Sequence, residues 1–240
     1  MTEAGVIRTG TITAGMVLDA LSGVRDPELD EPLTDLGFVA GVQVDGPRVE
    51  VRLRLPTYFC APNFAWLMAD DARTAVLALP GVDDVAVVLD DHFASDEING
   101  AVRHGNGFEQ AFPGETSGEL ADLREIFVRK AFVARQSRLC DRLLRGGHTL
   151  EEVAALRLDE LEPSPELERC LALRDELGID ASPGSAAFIL PDGQTPDAES
   201  LGRWLKRARL VRLSLEGNAS LCRSLLSTRY GIPDPEELAV

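Results

Sequence analysis

The sequence is poor in lysine, in aromatic side chains and in cysteine pairs. Only Lys130 and Lys206 stand among 24 basic residues, and aromatics make up 5% of the chain. Acids outnumber bases 40 to 24, a formal net charge of -16 that repels a polyanion and argues against nucleic acid as the main partner. The four cysteines, Cys60, Cys140, Cys170 and Cys222, form no CxxC pair and are too sparse for a secreted disulfide scaffold, which points to a reducing compartment. No window approaches ~20 uninterrupted apolar residues, and no basic segment leads into an apolar run near the start. The expectation is a cytoplasmic protein with no membrane partner. Also missing are a glycine-rich phosphate loop, a nucleophile elbow and a serine set beside histidine and carboxylate, so the chain is expected not to be an enzyme.

What is present is a core-forming composition, 45% hydrophobic, arranged in two styles. From Thr11 to Val24 the residues Ile12, Met16, Leu18 and Leu21 share a helical face, with Thr11 or Thr13 as N-cap. Asp26-Pro27 breaks that pattern. A strand follows near Val39–Val44, a turn at Asp45-Gly46-Pro47, and then Val49, Val51, Leu53 and Leu55 alternate with Glu50, Arg52 and Arg54 as a half-buried strand. Phe64, Leu67, Met68, Ala72, Ala75, Val76 and Leu79 repeat at helical spacing up to Pro80-Gly81, and Val85–Leu89 reads as a third, more fully apolar strand.

The fold class is therefore α+β: a small two-layer helix-strand-strand-helix-strand domain over residues 1–92, followed by a mainly helical C-terminal domain over 119–240. Residues 93–118 lack periodicity and read as a linker or functional loop. In the helical part, a helix to Arg145 ends at Gly146-Gly147, Thr149 and Glu152 make a capping box, and Ser164-Pro165 opens another helix. Ala186–Leu190 reads as a short strand, with separate helices after Thr195-Pro196 and over Asn218–Tyr230.

The residue with most chemical promise is Cys60, in the turn Pro56–Asn63 between an alternating strand and an apolar helix. There the free amides and dipole of a helix start favour a thiolate, which ligates soft metals or acts as a nucleophile. Phe59, Pro62, Phe64 and Trp66 are expected to frame it. Asp26, Glu28 and Asp35 read first as turn and cap carboxylates. His92 and His104, among Asp90, Asp91, Asp96 and Glu97, supply nitrogen and oxygen donors without the spacing of a compact metal motif. Cys140, Cys170 and Cys222 read as helix core. Arg203, Lys206, Arg207, Arg209 and Arg212 gather around Trp204 as a local basic patch, either a solvated helix face or a dock for an acidic partner.

In order along the chain, Asp26-Pro27-Glu28-Leu29, Thr34-Asp35-Leu36-Gly37-Phe38-Val39, the strand Val49–Leu55, Thr57-Tyr58-Phe59-Cys60 and Pro80-Gly81-Val82 resemble the SufT/PaaD-like domain of iron-sulfur cluster assembly proteins. The resemblance spans about residues 12–92. It implies a small α+β domain that serves the maturation of iron-sulfur or other metalloproteins. Cys60 would be the reactive or cluster-handling thiol, Thr57 would shape its turn, and Asp26, Glu28 and Asp35 would be acids at the same end of the sheet. The family places proline directly after this cysteine; here Ala61 comes between Cys60 and Pro62.

One thiol does not hold a cluster that normally takes four ligands, so any iron or iron-sulfur cluster would be transient, shared with a partner or bridged in a homodimer. The expected function is that of an accessory factor presenting Cys60 to a metal, cluster or client thiol. Its partner would be a client metalloenzyme, an iron-sulfur or diiron enzyme such as a monooxygenase. Two other readings stand beside it: a metal-free scaffold that binds a client enzyme, and a thiol-dependent enzyme in which His92 or His104 serves Cys60 as base.

Overall fold

A computed structural model describes residues 11–114 and 120–232. The chain divides into two compact units, one made by the chain up to Leu120 together with the chain from Ala219 onward, the other by Ala121–Asn218.

The first unit has the anticipated α+β order. Helix α1 (Ala14–Leu21) starts where the Thr13 hydroxyl accepts the Met16 amide at 3.3 Å. Strands β1 (Val39–Asp45) and β2 (Arg48–Arg54) form an antiparallel hairpin, and α2 (Pro62–Leu77) carries the chain across to β3 (Asp84–Asp90), which pairs in parallel with β2. The sheet order is β1-β2-β3, so β2 is central and β3 lies at an edge. Alternation decides which face is buried. Val49, Val51 and Leu53 of β2 and Val85, Val87 and Leu89 of β3 enter the core with Trp66, Leu67, Met68, Ala72 and Val76 of α2. The intervening residues of β3 are half-buried, so this strand alternates instead of being apolar on both faces.

Part of the region expected as loop is helical. Helix α3 (Ser95–His104) buries Ile98, Ala101 and Val102 and stops at Gly105 in the left-handed region (φ 66°); the short α4 (Phe108–Ala111) follows. The apolar spacing of α3 is only three residues deep and hidden among acids and glycines, which is why periodicity does not reveal it. Residues 115–118 lie outside the described residues.

The second unit is helical. Helix α5 (Leu120–Arg145) leads through Gly147, at φ 100°, to α6 (Leu150–Ala155), whose capping box is formed as expected: Glu152 N–H to Thr149 Oγ1 at 3.2 Å and Thr149 N–H to Glu152 Oε2 at 2.8 Å. Ser164 caps α7 (Pro165–Glu176) with Pro165 in its first turn.

Ala186–Leu190 is not a strand. Among the described residues it pairs with no strand: Ala186 makes only an isolated antiparallel bridge to Arg157, with Ala187 N–H on the Leu156 carbonyl at 2.8 Å, and Ile189 bonds both ends of the Gln136 amide at 2.9 and 3.1 Å. The buried Arg174 donates to the carbonyls of Ala186 and Ala187 at 2.8 Å. The two expected C-terminal helices are one, α8 (Ala198–Tyr230), because no proline interrupts residues 210–217 and the helix runs through Gly217. Its cap is Asp197, which accepts the Ser200 amide at 2.8 Å. The part of α8 from Ala219 on belongs to the first unit, where Ala219 and Leu226 join the core.

Candidate functional site: a half-exposed thiol at the head of α2

The segment between β2 and α2 is held in place before α2 begins. Thr57 Oγ1 takes the Phe59 N–H at 3.3 Å and shares a hydrogen bond with the Cys60 sulfur, also 3.3 Å away. Ala61 is the N-cap of α2 and Pro62 opens the helix, so Cys60 stands one residue before the cap. A side-chain cap is lacking, and the Phe64 amide is taken by Ala61 O and by Asn63 Oδ1. The described partner of the sulfur is thus the Thr57 hydroxyl, with the interposed Ala61 moving the thiol back from the helix. Cys60 itself is half-buried.

A second turn braces this one. After β3 the chain passes Asp91, at φ 48°, into His92, whose ring is buried. His92 Nδ1 accepts the Ala94 amide at 3.2 Å, so Nε2 carries the hydrogen and donates to the Cys60 carbonyl at 2.7 Å. Phe93 N–H adds a bond to the Tyr58 carbonyl at 3.2 Å. Both ring nitrogens of His92 therefore serve backbone groups. His104 sits on the last turn of α3 and bonds the Gly100 carbonyl at 2.7 Å. Among the described residues, no three Asp, Glu, His or Cys side chains group closely enough to hold a metal ion.

The apolar frame is not the expected one. Trp66 is buried, edge-on to Phe108, while Phe59 points outward at 77% exposure. It meets Tyr58 (ring centroids 5.1 Å apart) and Phe93 (6.4 Å), and the three rings form an exposed aromatic patch beside the thiol.

Asp26 is buried, and its Oδ1 accepts the amides of Glu28 (2.8 Å) and Leu29 (2.9 Å), an Asx turn in the loop after α1, which itself ends at Leu21. Burial pushes its carboxyl up to about 6 against the pull of those two amides. Glu28 is half-buried, and Asp35 is exposed with its carboxylate accepting the Thr34 hydroxyl at 3.1 Å. The structure brings to this end of the unit two residues that sequence reading does not place there. Cys222 of α8 packs on the same core as Cys60, and its thiol is pushed up to about 12, first by burial and then by the nearby Asp26, Cys60 and Glu28. Arg229 donates to the Leu55 carbonyl at 3.0 Å and to Asp91 Oδ2 at 2.5 Å, tying the starts of both turns to α8. Both come from far along the chain, and no local pattern announces them.

In the second unit the basic patch divides. Arg209 and Arg212 turn to Asp141, whose carboxyl, despite partial burial, they hold below the usual carboxylate range. Trp204 is buried in the core, Arg203 pairs with Glu199 at 3.0 Å, and Lys206 and Arg207 are exposed.

The first unit is thus a small α+β layer with a braced, half-buried cysteine at a strand-to-helix turn. Residues 15–89 match the family described as iron-sulfur cluster assembly protein. An uncharacterized protein of Methanocaldococcus jannaschii is 34% identical over 89 residues, 37% of this chain and 92% of that protein. Iron-sulfur cluster carrier proteins of Deinococcus radiodurans and Synechocystis are 37% and 36% identical over 71 and 76 residues. Those stretches are 30% and 32% of this chain but only 20% and 21% of the carriers, so it spans about a fifth of their length. Through its N-terminal domain, the chain belongs to the iron-sulfur cluster assembly protein family.

Proposed function

We propose that the protein is an accessory factor of metalloprotein maturation, working in the cytoplasm, in which the first unit presents Cys60 to an iron-sulfur cluster, a metal ion or a client thiol. The second unit recognises the client, an iron-sulfur or diiron enzyme such as a monooxygenase. The cluster is cargo: one thiol supplies one ligand, so the remaining ligands come from the client or from a second copy of the chain. The role is assembly without turnover. The observation that carries this reading is the position of Cys60, half-exposed and hydrogen-bonded to Thr57, in the domain shared with iron-sulfur cluster carrier proteins. The aromatic patch of Tyr58, Phe59 and Phe93 supports it as an apolar rim on which a client can rest. Use of His92 as a base for Cys60 is disfavoured, since both its nitrogens are engaged by backbone groups.

The test is anaerobic reconstitution with ferrous iron and sulfide, followed by transfer to an apo iron-sulfur acceptor protein, comparing wild type with Cys60→Ser. Wild type is expected to gain sulfur-to-iron charge-transfer absorbance and pass it on, and Cys60→Ser to do neither. Equal transfer by the serine variant would sink the thiol role.

A further inference from the structure

The two units differ sharply in charge: the first carries 9 basic and 23 acidic residues, the second 15 and 17. Three exposed cations of the second unit, Arg203, Lys206 and Arg207, lie within two turns of α8, and their placement there is selective. Arg203, Arg207 and Val211 follow one another at four-residue steps on one stripe, with Trp204 and Ala208 beside it. That stripe walls a hollow of about 450 Å³, closed on the other sides by Val133 of α5 and by the turn at Leu190 and Asp192. A second hollow of about 330 Å³ adjoins it across Val133, Leu190, Pro191 and Asp192 and continues to Phe132 and Ile179. Together they make an elongated, mostly apolar groove, with Arg129, paired to Glu125, beside the second hollow and the cations Arg203 and Arg207 at the α8 end. Asp192 is the one acid among the residues lining the pair of hollows.

The cations at that end are open to a partner. Arg209 and Arg212, on a neighbouring stripe, are committed to Asp141. Arg203 pairs with Glu199, side chains 69% and 78% exposed, and lies near Asp197; a partner carboxylate displaces so exposed a contact easily. Arg207 has no ion pair among the described residues. An elongated apolar channel ending in two guanidinium groups is complementary to a chain segment with apolar side chains next to a carboxylate.

We propose that this groove binds an extended, acidic and apolar peptide segment of a partner protein. Arg203 and Arg207 receive its carboxylate, and the Val133, Leu190 and Trp204 surface receives its apolar side chains. The inference gives chemistry to the client of the preceding section and rests on that reading for the partner's identity, but binding at the groove does not involve Cys60.

The test is to pan a phage-displayed library of random 12-residue peptides on the full-length protein and measure the selected peptides by fluorescence anisotropy. Selected sequences are expected to carry Asp or Glu beside Leu, Ile or Phe, and to lose about tenfold or more in affinity for Arg207→Glu and for Val133→Asp. Lys206→Glu, the same charge change off the groove, is expected to stay within about twofold, which separates groove binding from general attraction. Arg207 is exposed, so its variant keeps the fold, and circular dichroism verifies this. No enrichment, enrichment of basic sequences, or equal weakening by Arg207→Glu and Lys206→Glu would each overturn the proposal. Cys60→Ser is carried in parallel: unchanged peptide binding with unchanged cluster transfer sinks the thiol reading and leaves the groove standing.

Discussion

The buried imidazole of His92 donates to the backbone carbonyl of Cys60 at 2.7 Å, so the position of the thiol is set by a residue 32 places further along the chain. His92→Ala leaves that carbonyl and the Ala94 amide without their side-chain partner. A loss of about 1–3 kcal/mol in stability is expected by chemical denaturation, together with faster thiol labelling of Cys60 as its turn loosens. Unchanged labelling would show that Thr57 and the Phe93–Tyr58 backbone bond suffice to hold the turn.

The four thiols should separate cleanly by reactivity. Cys140 and Cys170 are buried, and burial with the adjacent Asp141 charge pushes Cys140 up to about 12. Cys222 is half-buried but also pushed up to about 12. With iodoacetamide at pH 7.5 and peptide mapping by mass spectrometry, Cys60 is expected to react first, Cys222 well behind, and the other two only on unfolding. A faster Cys222 would contradict the described surroundings of both residues.

Asp26 gives a pH dependence with a defined sign. Its carboxyl lies at about 6 in the folded protein against 3.8 unfolded, so the folded state holds the proton more tightly. The associated stability is fully present below about pH 4 and is lost as pH rises through 6, amounting to about 3 kcal/mol at most. Asp26→Asn keeps an oxygen for the Glu28 and Leu29 amides and removes the buried charge. It is therefore expected to be more stable than wild type at pH 7 and to flatten the slope between pH 4 and 6, as read from denaturation midpoints across pH.

Arg229 ties α8 to the Leu55 carbonyl and to Asp91. Asp91 is itself 60% exposed on its side chain, so the ion pair contributes little and the charged bonds to the carbonyls carry the effect. Arg229→Met is expected to destabilise by about 1–3 kcal/mol. It should also raise amide exchange in residues 219–230 before the rest of the first unit, and uniform exchange would argue against a local tether.

The legible parts of the fold were those written in local periodicity. Val49, Val51, Leu53 and Leu55 announce a strand, and Phe64 to Leu79 a helix, so the strand-to-helix turn and Cys60 between them follow from sequence alone. Thr149 with Glu152 and Ser164 with Pro165 mark helix starts by side-chain chemistry, and both form as read. What could not be read was tertiary. Ala186–Leu190 has strand composition but finds Gln136, Arg174 and Leu156 instead of a strand. Cys222 resembles any helix-core cysteine until α8 folds back to the first unit. His92, in an acidic stretch, suggests a metal ligand until its two nitrogens are seen to bond backbone.

The division of α8 between the units bears on how the protein is made. The core of the first unit is assembled from the chain's beginning and from Ala219 and Leu226, with the 98 residues Ala121–Asn218 between them. At a synthesis rate of about 5–20 residues per second, the ribosome needs about 5–20 seconds to cross that interval. During that time the core of the first unit lacks Ala219 and Leu226, and the Leu55 carbonyl lacks the Arg229 guanidinium. The domain that comes first in the sequence is thus among the last parts of the protein to be completed.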